Sequence, residues 1–222
     1  MKNRFWERRS LMSGMGAAAA ALAVGARPSA GQTPAAAPPT AFTPARHTQD
    51  DWLDKIPGKH RVVLDVTTAQ GMPDAIRFAG NIYTGNKGTY GLDDADLAIV
   101  VILRHSATAL GYGDAIWAKY GKALADATKY ADATATEPPK GNPFNMAPRS
   151  QVDGLAKRGV HFAVCDTASH GVARRLAGDG GDGEATYKEM VANMIPASRL
   201  VAAGVIAVTR AQEFGFKLVF CG

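Results

Sequence analysis

Cysteine is scarce in this 222-residue chain, with Cys165 and Cys221 its two. That count permits one disulfide, or one redox or sulfur-carrying site, and does not separate them. Histidine is nearly as sparse, and His47 and His170 show no metal-ligand spacing with His105. The acids Asp179, Asp182 and Glu184 miss the calcium-loop pattern, so the stretch around them reads as solvated loop. No metal or other cofactor is therefore predicted. A copper or haem site built from His105, Cys165 and a methionine such as Met72 has no ligand spacing behind it. No repeat of fixed period is present.

Charge of one sign is confined to the start of the chain. Residues 1–30 hold Lys2, Arg4, Arg8, Arg9 and Arg27 against Glu7, a net of +4. The whole chain carries +5, so about +1 belongs to the rest. The high pI reports the first segment, and a nucleic-acid partner loses its support.

That segment has the layout of an export signal. A basic start with the pair Arg8-Arg9 leads into an apolar, alanine-rich stretch from about Leu11 to Ala26. The stretch is shorter than the roughly 20 residues of a membrane-spanning helix. The twin arginine, with Leu11 two positions on, resembles the signal read by the export route for folded proteins. The expected location is the periplasm, with the membrane met only during export. Residues 31–58, rich in Pro, Ala and Thr over most of their length, read as a flexible tether.

From residue 59 to 222 the pattern is that of one folded domain. "HRVVLDVTT" (60–68) and "LAIVVILRH" (97–105) are apolar runs that do not alternate, as expected of strands buried on both faces. "VHFAVC" (160–165), "SRLVAAG" and "KLVFCG" supply three more strands. Helices are predicted after Pro73, from Asp114 as N-cap, over 152–159, from near Ser169, over 184–194 and up to Gly215. The Pro-rich stretch 136–150 reads as a long connection. Strands alternating with helices predict an α/β domain, a three-layer α/β/α sandwich with about five mainly parallel strands.

In such a sheet, ligands bind beyond the carboxyl ends of the strands. That rule selects Thr67, Thr68 and Gln70 after the first strand, Arg104 and His105 after the second, and Cys165, Asp166 and Thr167 after the third. Cys221 ends the last strand, and His170 leans over from the helix after Asp166. His60 and His161 start strands and belong to the opposite edge. Cys165 is either a buried apolar side chain or a thiol at a helix start, where free N–H groups and the helix dipole favour a thiolate. A thiolate there takes up sulfur as a persulfide, or pairs with Cys221. Arg104 suits an anion such as a sulfur oxyanion or a carboxylate, and His105 suits proton transfer.

The residues Leu155, Gly159, Val160, Phe162, Val164 and Cys165 follow an L-x-x-x-G-V-x-F-x-V-C pattern. Gly204, Val205, Gln212 and Gly215 follow the helix pattern that leads into the last strand. Together they resemble the DsrE-like family over most of residues 60–221, with an inserted loop near 121–150. The resemblance implies a three-layer α/β domain, a homo-oligomer, and in some members a sulfur relay carried on the cysteine matching Cys165. Two functions follow as expectations. One is sulfur or thiol handling through Cys165 with a small sulfur-containing or anionic ligand. The other is a non-catalytic module of the same fold that binds a small ligand or cofactor.

Overall fold

A computed structural model of the chain describes residues 42–130, 136–145 and 151–222. The predicted export signal and residues 31–41 of the predicted tether lie outside these residues, as do 131–135 and 146–150 of the predicted insertion. Pro44–Gly222 forms one compact unit.

Five strands form one sheet: β1 (His60–Val66), β2 (Leu97–Leu103), β3 (Val160–Cys165), β4 (Ser198–Val201) and β5 (Lys217–Cys221). Their order is β4-β3-β2-β1-β5 and every pair is parallel. All seven residues of β2 are buried, which is why its sequence shows no alternation.

Helices cover both faces. The first face, which carries Leu64, Val66, Ile99, Val101, Leu103, Phe162 and Val164, packs under five helices. These are α2 (Met72–Tyr90), α3 (Asp114–Thr128), α4 (Gln151–Lys157), α5 (Asp166–Ala177) and α6 (Gly183–Ala192). The second face, with Val63, Ala98, Val100, Ile102 and Ala163, packs under α1 (Trp52–Lys55) and α7 (Gly204–Glu213). The result is a three-layer α/β/α sandwich. No helix among the described residues is long and apolar enough to cross a membrane.

Four expectations need correction. The tether ends earlier than residue 58, because Trp52, Leu53 and Ile56 are buried against the second face. Gly113, not Asp114, caps α3, and the Asp114 carboxylate instead accepts from the backbone N–H of Asn142 at 2.8 Å. The insertion is partly core, for Asn142 donates to the carbonyls of Leu110 and Tyr112, each at 2.8 Å, and Phe144 is buried. Finally, α5 starts at Asp166, so Cys165 passes from strand to helix with no intervening loop.

The topology places a crevice. The chain leaves β1, β2 and β3 toward the first face but leaves β4 toward α7 on the second. The neighbouring strands β3 and β4 therefore send the chain to opposite sides, which is where open α/β sheets bind ligands.

Candidate functional site

Side chains alternate along a strand, so two residues apart share a face. Ala163 lies on the second face and puts Cys165 there, and Val63 does the same for Asp65. Arg104 follows Ile102 onto that face and forms a bidentate ion pair with Asp65, Nε–Oδ1 at 2.7 Å and Nη2–Oδ2 at 2.9 Å. Asp65 is almost fully buried, whereas the Arg104 side chain is about a quarter exposed. The hydrogen bond to Asp65 holds the Arg104 pKa above its usual value; burial opposes this, and the thiolate form of Cys165 lies near enough to add to the rise. Arg104 is thus less free for an anion than a lone cation. Its Nη1 keeps no hydrogen-bond partner among the described residues.

The first residue of α7 closes over this pair. A Cβ built on Gly204 falls 2.3 Å from the Cβ of Arg104, so only glycine lets the helix start approach this closely. Gly204→Ala is expected to push the first turn of α7 off the sheet and cost about 1–3 kcal/mol. A lowered midpoint of urea unfolding measures it, and an unchanged midpoint refutes the close approach.

Cys165 is 7% exposed and forms the N-cap of α5, with no side-chain capping bond. Beside it the first turn of α5 holds a polar cluster. The Tyr112 hydroxyl donates to Ser169 Oγ, which in turn donates to the carbonyl of Cys165 at 2.8 Å. The Tyr187 hydroxyl donates to Asp166 Oδ1, and His170 Nε2 lies 3.8 Å from the same oxygen. His170 also stacks on Tyr187, with ring centroids 3.9 Å apart and planes 14° from parallel. Burial, then the Asp166 contact, pushes the Tyr187 phenol up to about 12. Thr167 spans the β3–β4 crevice, its N–H and hydroxyl both donating to the carbonyl of Ala202.

Arg104, Cys165, Asp166 and His170 are therefore gathered at one end of the sheet, while other expected site residues are occupied elsewhere. Thr67 and Thr68 both donate to the carbonyl of Gly222, and Gln70 donates to the carbonyl of Lys129 at 2.8 Å. These three side chains hold chain segments together. His105 is exposed in a left-handed backbone conformation, φ 57°, and its ring makes no hydrogen bond among the described residues. Tyr112, Ser169, Tyr187 and Asp65 were not expected. For Asp65 a signal existed, a single acid inside an apolar strand.

Cys221 is not a disulfide partner for Cys165. The strand order sets β3 and β5 three strand spacings apart, about 14 Å at the usual spacing. A disulfide needs Cα atoms within about 7 Å. The two side chains also point to opposite faces, Cys221 packing in the first-face core, and both thiols are free. Burial pushes the Cys221 thiol up to about 11. Among the described residues no group of three or more His, Cys, Asp or Glu converges as a metal site. Met72 is buried in the first-face core, on the other side of the sheet from Cys165.

The class these features define is a three-layer α/β protein with a cysteine at the carboxyl edge of its sheet. No family model matches the chain, and no curated protein does. One similar solved structure is that of the protein of unknown function MTH1491 from Methanobacterium thermoautotrophicum. It is 14% identical with a TM-score of 0.40, and the match covers 73% of this chain and 99% of that one.

Proposed function

We propose that the protein handles sulfur through Cys165, with Arg104 drawing in an anionic donor such as thiosulfate. The observation that carries this reading is the junction itself: one sulfur at the start of a 12-residue helix, beside a guanidinium, at the strand ends where the chain diverges. Helix N-termini and arginines both stabilise negative charge. In the proposed step the Cys165 thiolate attacks the sulfane sulfur of thiosulfate. A new S–S bond forms, the old S–S bond breaks, and sulfite leaves with the electron pair. Cys165 is left as a persulfide, with no outside oxidant needed. His170, 3.8 Å from Asp166 at the same end of the sheet, serves as proton carrier for a thiol acceptor.

The likeness to DsrE-like proteins and the basic, apolar chain start extend the proposal. The protein acts after export, in the periplasm, and self-associates. Exposed Val205 and Ile206 on α7 and Leu218 and Phe220 on β5 support the last point, as apolar groups that a second copy would cover.

One observation favours a second reading, a small-ligand module without turnover: Cys165 is only 7% exposed. Intact-mass measurement of the full chain after thiosulfate or polysulfide treatment separates the two. Sulfur transfer predicts a gain of one sulfur, mapped to Cys165 and lost in Cys165→Ser, with Cys221 unmodified. No gain with either donor overturns the transfer reading and leaves the binding module.

A further inference from the structure

We propose a second binding site, at the amino-terminal edge of the sheet, for a small amphipathic anion: a carboxylate or sulfonate joined to a short apolar group. The site is independent of Cys165 and of the sulfur chemistry above. A groove of about 360 Å³ lies there between α2 and the starts of β1 and β5. That volume falls within the range of about 300–1,000 Å³ typical of small-ligand sites.

The chemistry of the groove divides into an apolar base and a basic rim. Half-buried Val62 and Ile82 supply the apolar surface, over the buried Leu97. Lys59, His60 and Lys217 line it as well, and all three are exposed. Strand alternation aims two of them inward. Leu64 and Val219 pack on the first face, so His60 and Lys217, an even number of residues earlier on β1 and β5, share that face with α2.

Neither lysine has a carboxylate partner among the described residues. No Asp or Glu lines the groove. The acid next to it in sequence, Asp96, is engaged: its carboxylate accepts from Asp93 N–H and its carbonyl from Lys59 N–H. Arg61 also borders the groove, but its guanidinium is committed elsewhere, donating to the carbonyls of Leu53 at 3.0 Å and Ile56 at 3.2 Å.

Unpaired cations beside buriable apolar surface select a ligand with both characters. An inorganic anion leaves half-buried Val62 and Ile82 uncovered, and a neutral apolar ligand leaves the lysines unanswered. A nucleic acid needs a longer basic stripe than these few groups make. Gly215, turning at φ 86° into β5, leaves that end of the groove open because it has no side chain to block it.

The probe is anilinonaphthalene sulfonate, titrated by fluorescence into the full chain, with octanoate as competitor. Saturable, octanoate-reversible binding is expected. Two lysines acting together predict weakening by about tenfold in Lys59→Gln/Lys217→Gln. Lys59→Glu/Lys217→Glu is expected to abolish it. Both pairs are exposed, and urea midpoints matching the parent confirm that the variants fold. Cys165→Ser is expected to bind as the parent does, which keeps this test separate from sulfur transfer. Phe220→Ser controls for dye on the exposed apolar residues. No saturable binding, binding indifferent to both lysine pairs, or binding lost in Phe220→Ser instead, each overturns the proposal.

Discussion

Arg104→Met is expected to destabilise the protein by about 3–5 kcal/mol, the usual cost of breaking a buried ion pair by removing one partner. The reason is the unequal burial of the two charges. The Asp65 side chain is 4% exposed and the Arg104 side chain 27%. Without Arg104, a carboxylate is stranded between the sheet and α7 with no route to water. Without Asp65, the guanidinium turns outward on its long stem, so Asp65→Leu is expected to cost less, about 1–2 kcal/mol. Replacing both at once, Asp65→Leu with Arg104→Met, is expected to restore most of the loss, since well-packed apolar residues often match a buried ion pair. Urea unfolding of the three variants measures this. Equal single-variant costs, or a double variant as unstable as their sum, would refute a pair held mainly by the buried acid.

The same double variant links stability to the proposed chemistry. It keeps the sheet while removing the guanidinium beside Cys165. If Arg104 draws in the anionic donor, sulfur uptake at Cys165 slows in a protein that is still folded. Uptake at the parental rate assigns Arg104 to structure alone.

The strands were the legible part of this fold, and β2 shows why. Its run Leu97–Leu103 is buried on both faces, so composition alone marks it. The short helix α1 was not legible, because four residues next to Pro57 carry too little periodicity to stand out from a tether. Within the site, the edge of the sheet at which each residue lies could be read, but not what each side chain does there. Thr67 and Gln70 do follow β1, yet their partners are the carbonyls of Gly222 and Lys129, 155 and 59 residues away. The cysteine pairing failed for a similar reason. Nothing local in either strand states that β2 and β1 come between β3 and β5. Asp65 carries the clearest further signal: an acid inside an apolar strand must have a buried partner, and Arg104, just past the end of the neighbouring apolar strand, is that partner.

Alkaline unfolding is the other large effect expected, because several buried acids are held neutral in the fold. Burial pushes Tyr83 up to about 12 and Cys221 up to about 11, and Tyr112 is raised as well. Tyr83 is fully buried and its hydroxyl donates to the carbonyl of Arg158 at 3.0 Å. In the unfolded chain these groups ionise near ordinary values, about 8.5–9 for cysteine and about 10 for tyrosine. A raised folded pKa means the unfolded state releases its proton first. Stability is therefore intact below about pH 8.5 and falls as the pH climbs through about 11 to 12. Two groups raised by about two units each remove about 5 kcal/mol in all, comparable to the whole stability of a small domain. The expected result is a cooperative loss of secondary structure in that window, coincident with the ultraviolet signal of tyrosinate. Tyr83→Phe should be somewhat less stable at neutral pH, for the lost hydrogen bond, and should show a shallower alkaline fall by about one proton. Tyrosines that titrate gradually to pH 12 while the circular dichroism stays constant would show that Tyr83 and Tyr112 reach water without unfolding, and that the first-face core is looser than its packing indicates.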